Sequence, residues 1–124
     1  MKPFLPAAAW LAAITLLSLT PSVQLPKFQL FSADKLAHAG AYALLVWLLA
    51  WGIWKWKARY ANRGELVLAF CFAAGYGALM EWVQGTFFPY RFFEYDDMLA
   101  NTAGAFLAAM LARFFFKPAT PPNE

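Results

Sequence analysis

Charge is what this sequence has least of. Lys and Arg number ten and Asp and Glu seven among 124 residues, so charged side chains make up 14% of the chain. A soluble domain carries about a quarter. There is one cysteine, which excludes a disulfide-stapled secreted scaffold. There is one histidine, which excludes any catalytic layout that needs two. The seven glycines and eight prolines follow no period, so the chain is not collagen-like. Abundant aromatics and low net charge exclude an intrinsically disordered tail.

What is present is apolar. Hydrophobic residues reach 62%, aromatics 19%, with 13 Phe and 6 Trp, and the mean hydropathy is +0.49. A domain of this size buries only ~60–70% of the surface its unfolded chain exposes. Water is therefore the wrong solvent for it, and the lipid bilayer is the expected partner. The length allows one domain, residues 1–124.

The charges divide the chain into uncharged runs at 3–26, 36–54, 66–80 and 98–112. A spanning helix needs about 20 mostly apolar residues. The expectation is an all-α polytopic membrane protein with four spans, at 4–20, 36–54, 66–88 and 98–116. No alternating pattern supports a barrel. The first span is short and stops at Pro21. Its Met1-Lys2 start is that of a minimal signal peptide, but no small-x-small cleavage site follows, so retention is the expectation. The Pro-rich tail 117–124 is expected to be flexible.

Basic residues orient the spans. Lys2, the segment holding Lys55, Lys57, Arg59 and Arg63, and Arg113 with Lys117 place seven of the ten on one face. The positive-inside rule then puts both termini and the segment 55–63 in the cytoplasm. Trp51, Trp54 and Trp56 are placed as an interfacial belt at that end, Phe87, Phe88, Tyr90, Phe92 and Phe93 at the other. The net charge of +3 is a topology signal and not a nucleic-acid footprint.

The polar residues left over converge at one depth. Asp34, Lys35 and His38 fall at the outer start of span two, Glu81 and Gln84 near the outer end of span three. Arg91 follows in the outer loop, and Asp97 and Asn101 open span four. Asp34, His38 and Tyr42 are four apart, as are Asp97 and Asn101, and Glu81 and Gln84 are three apart, so each set shares one helix face. An intramembrane acid costs ~2.5–3.5 kcal/mol on insertion scales and so marks a functional candidate. The plainer reading is a polar network gluing helices together, with Gly75, Gly77, Gly104, Ala105 and Ala108 at packing surfaces. Asp34 is equally an N-cap of span two.

Three strings resemble the VanZ-like family of integral membrane proteins: Asp34-Lys35-Leu36-Ala37-His38-Ala39-Gly40-Ala41-Tyr42, then Glu81-Trp82-Val83-Gln84 followed by Arg91, and finally Asp97-Met98-Leu99-Ala100-Asn101-Thr102-Ala103-Gly104. The resemblance covers a core of about residues 33–112 in a short version of the fold. It implies a bacterial envelope protein whose namesake accompanies glycopeptide resistance clusters and raises teicoplanin tolerance without changing the cell-wall peptide terminus. It implies no defined reaction.

Three functions fit these residues. In an enzyme, Glu81 and Asp97 would be a general acid and base and His38 a proton shuttle, with Arg91 and Lys35 clamping a phosphate or carboxylate and Gln84, Asn101 and Tyr42 in the binding wall. In a binding module, the same cluster would grip the head of a lipid-linked envelope precursor or a glycopeptide. In a small proton-coupled transporter, Glu81 would carry the proton, although span one holds no ionisable group. No cofactor motif is present. A Mg or Mn site from His38, Glu81 and Asp97 has no supporting motif such as H-E-x-x-H. Cys71, flanked by Phe70 and Phe72, is expected to be buried, inert packing.

Overall fold

The computed structural model of the chain describes residues 2–19, 33–59, 61–87 and 95–115, with side chains at all of these except 19, 33–35, 95–97 and 115. A 3₁₀ turn, Lys2–Phe4, leads into α1, Leu5–Leu19. Then come α2, Ala33–Lys57, α3, Arg63–Phe87, and α4, Tyr95–Phe115. The described residues are all-helical and contain no strand.

Local chemistry sets the ends of these helices. Pro6 falls in the first turn of α1, where its missing N–H breaks no helical bond. At its far end α2 carries Lys55 and Lys57, which suit the negative pole of the helix. Ala58 then turns left-handed at φ 55°, ending the helix where glycine is more usual. Asn62 and Glu65 form a reciprocal capping box on α3. The Asn62 side chain accepts from the Glu65 amide at 2.8 Å and the Glu65 carboxylate accepts from the Asn62 amide at 2.9 Å. Lys57 at 2.6 Å and Arg59 at 2.7 Å bind the same carboxylate. Glu65 precedes the apolar run that begins at Leu66, and the bonds from Arg59 and Lys57 lower its pKa to about 2. The basic segment is thus shorter than the sequence suggests. Lys55 and Lys57 belong to α2, and Arg63 already opens α3.

The helices run alternately up and down. Phe4 meets Trp56 edge-on at 6.0 Å, and the Trp10 indole donates to the Ala41 carbonyl at 2.8 Å, so α1 and α2 are antiparallel. Phe70 packs edge-on against Phe106 at 6.0 Å, while Gly77 abuts Asn101, so α3 and α4 are antiparallel too. The most extensive interface joins α2 and α4. One end of the bundle therefore gathers Lys2, Lys55, Lys57, Arg59, Arg63 and Arg113. There Lys55 sits over Trp54 at 5.2 Å and Lys57 over Trp56 at 5.1 Å.

Burial is inverted relative to a water-soluble bundle. The interior is lined largely by small residues, among them Ala7, Ala50, Ala69, Ala73, Ala105, Ala108 and Ala112, with Ile14, Tyr42, Leu45, Val46, Leu66 and Met80 as the bulkier side chains. Large side chains such as Leu17, Leu68, Phe72, Trp82, Phe106 and Phe114 point outward. Two helices are long and apolar enough to cross a membrane, through the stretches Leu36–Lys57 and Arg63–Phe87, and about a third or less of each apolar window is buried. A core helix of a soluble protein would be mostly buried. This outer surface suits lipid, where packing of small residues takes over from the hydrophobic effect. The apolar stretches Lys2–Ser18 and Met98–Phe114 are shorter. Two expectations fail here. Cys71 is exposed on the outer face, and Gly75 faces open space. Both miss the buried stripe of α3, which runs through Leu66, Ala69, Ala73, Gly77, Met80, Glu81 and Gln84.

Candidate functional site

The site begins with two glycines. A Cβ on Gly104 would overlap the Ala39 carbonyl, whose carbon would be 2.7 Å away, so α4 lies backbone-to-backbone on α2 at this point. A Cβ on Gly77 would come within 2.8 Å of the Asn101 amide nitrogen, so α3 leaves room for that side chain. These contacts fix three helices in register around one level of the bundle. The level is the one at which the polar side chains occur.

Three polar residues are buried there: Glu81 at 3% exposure, Gln84 at 5% and Asn101 at 2%. Glu81 is one turn beyond Gly77 on the buried stripe of α3, and Tyr42, itself buried, lies within electrostatic reach of Glu81 and Tyr76. Gln84 donates to the Ser18 carbonyl at 2.7 Å, satisfying an acceptor in the last turn of α1. Thr15 hydrogen-bonds Tyr76 from the same helix. His38 is half-buried one turn before Tyr42, and both His38 and Glu81 are engaged by neighbours. Asn101 differs: its side-chain oxygen is buried and, among the described residues, has no hydrogen-bond partner. An orphaned buried acceptor costs about 1–3 kcal/mol, and a native fold retains one only where something else is gained.

Of the residues expected at the site, Glu81, Gln84, Asn101, Tyr42 and His38 lie toward the same end of the bundle, opposite the basic end. Lys35 and Asp97 lie on α2 and α4 near that end, one turn from His38 and Asn101 respectively, but their side chains are outside the described ones. The same holds for Asp34, while Arg91 and the tail 117–124 are outside the described residues altogether. Among the described residues no three His, Cys, Asp or Glu side chains gather as a metal cage requires.

Sequence reasoning overlooked α1, which carries no ionisable group beyond its start and yet supplies Thr15 and the Ser18 carbonyl to this end. A backbone acceptor leaves no trace in composition. The role of Gly77 was visible in part, since it sits four residues before Glu81 on one helix face.

Below the polar level the interior is sealed. Leu45, Val46, Ala69, Ala73, Ala105 and Ala108 form one apolar cluster with Ile14 and Tyr42, and a second of Ala50, Ala61, Leu66 and Ala112 continues to the basic end. The arrangement is a buried polar level on an apolar floor. It can offer hydrogen bonds and one carboxyl to a polar group arriving from its own end.

A helical protein with a lipid-suited exterior and a single polar level thus defines the class. The chain belongs to the VanZ/LLP1 family, whose sequence profile matches residues 4–116. No curated protein and no protein of solved structure matches it.

Proposed function

We propose that the protein is a four-span protein of the bacterial inner membrane, both termini cytoplasmic, that binds the polar head of an envelope amphiphile in its outward-facing polar site. The observation that carries this reading is the buried oxygen of Asn101, unpartnered among the described residues, on a side chain that packs against Gly77 one turn from the buried Glu81. A hydroxyl or amide of a bound head group would satisfy Asn101 and replace a penalty with a bond. Glu81 would add a charged or protonated partner at the same depth. Arg91 and Lys35 would attract an anionic head, with Asp97 and His38 completing the wall or moving a proton if chemistry follows binding. Lipid-linked cell-wall precursors and glycopeptides carry such heads, which agrees with the teicoplanin tolerance that the family resemblance implies.

Glu81→Gln, Asn101→Leu, Arg91→Ala and Asp97→Asn are expected to fold, by thermal unfolding in detergent, and to bind a lipid-linked precursor or teicoplanin at least tenfold more weakly. If every variant folds and keeps full binding and tolerance, the cluster is structural and the proposal fails. The apolar floor argues against a proton path through the bundle. A Glu81-dependent proton flux in liposomes would replace this reading with a transporter.

A further inference from the structure

Two shallow grooves run along the outer face of α3, one on each side, and their charges differ. The first, against α2, has a volume of about 280 Å³ and is lined by apolar residues including Leu49, Leu68 and Phe72, with Glu65 at its basic end. The second, against α4, is larger at about 380 Å³. Val67, Phe70, Cys71 and Met110 line it, and Arg63 and Arg113 stand at its basic end.

Arg63 and Arg113 are, with Lys2, the basic side chains at this end for which no partner occurs among the described residues. Lys57 and Arg59 share the Glu65 carboxylate, and Lys55 lies over Trp51 and Trp54. Glu65 is the sole acidic side chain described at this end, and it faces the other groove. Among the described residues Arg63 and Arg113 therefore meet no carboxylate. Both are exposed, and between them and the Phe70–Phe106 contact the groove wall is apolar. Paired guanidinium groups bind phosphate in bidentate fashion. An apolar furrow leading from them along the helices matches an acyl chain.

We propose that the α3/α4 groove is a binding site for an anionic phospholipid, with the head-group phosphate held by Arg63 and Arg113 and one acyl chain laid against Val67, Phe70 and Met110. The site is separate from the polar level, since it lies on the outside of the bundle and at the opposite end. Basic pockets between membrane helices recognise anionic head groups through this combination of charge and apolar wall.

The test is native mass spectrometry of the purified full chain in detergent, given phosphatidylglycerol or phosphatidylcholine of matched acyl chains. Phosphatidylglycerol is expected to be retained roughly tenfold more than phosphatidylcholine, a preference of the size two surface arginines supply. The Arg63→Gln/Arg113→Gln pair is expected to erase that preference while unfolding within a few degrees of the parent. Val67→Trp, which fills the groove from an exposed position and keeps both arginines, is expected to weaken retention of both lipids. Lys55→Gln, outside the groove, is expected to change nothing. Equal retention of the two lipids by the parent would overturn the proposal, as would a preference that survives in the double variant. Complete displacement by millimolar inorganic phosphate would show anion binding without the groove, and a dimer indifferent to lipid would show a second copy seated there. Either result also overturns it.

Discussion

Gly104 and Gly75 are the same residue type on apolar helices, and their surroundings make them opposites. A side chain on Gly104 meets the Ala39 backbone, which cannot swing aside as a flexible side chain could. Gly104→Ala is expected to push α4 off α2 and cost about 1–3 kcal/mol, the range for overpacking. Gly75→Ala enters open space and is expected to be neutral or to stabilise by up to about 1 kcal/mol through helix propensity. Thermal unfolding of the two variants in one detergent checks the pair, and equal losses would mean that α2 and α4 do not touch as described. Sequence alone could not separate them, since both read as small residues suited to helix packing. What separates them is that Gly104 faces the backbone of α2 while Gly75 faces open space.

At the scale of the element, the hinge between α2 and α3 is held by charge rather than by apolar burial. Glu65 caps its own helix and gathers Lys57 and Arg59. Glu65→Ala is expected to cost about 1 kcal/mol, mostly through the lost cap, because exposed ion pairs add little. The carboxyl has its pKa lowered in the folded protein from an ordinary 4.5 to about 2. Its contribution is accordingly complete above pH 4.5 and fades as pH falls through the interval down to about 2. The stability gap between the parent and Glu65→Ala should therefore be full at pH 6 and narrowed at pH 3. A gap as wide at pH 3 as at pH 6 would remove the ionised carboxylate from the explanation. The capping box follows from the Asn62-x-x-Glu65 spacing, but its link to Lys57 needs the left-handed turn at Ala58 that brings α2 and α3 side by side.

For the whole molecule, the inverted burial places the single cysteine on the apolar outer surface. Cys71 is two turns into α3 and exposed on the outer face. In intact membranes it is expected to resist a membrane-impermeant maleimide from either side, because a charged, water-bound reagent does not enter hydrocarbon. Denaturing detergent should release full labelling. Rapid labelling in intact vesicles would place that face of α3 in water and overturn the lipid-facing reading of the exterior.

Scarcity and position of charge were enough, by themselves, to determine the solvent, the helical class and the separation of a basic end from a polar one. The reason is that lipid penalises every ionised group, so each survivor is informative. The strings around His38, Glu81 and Asn101 likewise pointed to the family to which the chain belongs. Only the tertiary structure decided that Asn101 keeps an unpartnered oxygen against Gly77, that α1 holds Gln84 through the Ser18 carbonyl, and that Cys71 and Gly75 face outward. It also decided that Arg63 and Arg113 share one groove while Glu65 belongs to the other. Such pairings depend on the rotation of each helix about its own axis. Where nearly every position is apolar, periodicity says little about that rotation, and close contact between backbones sets it instead.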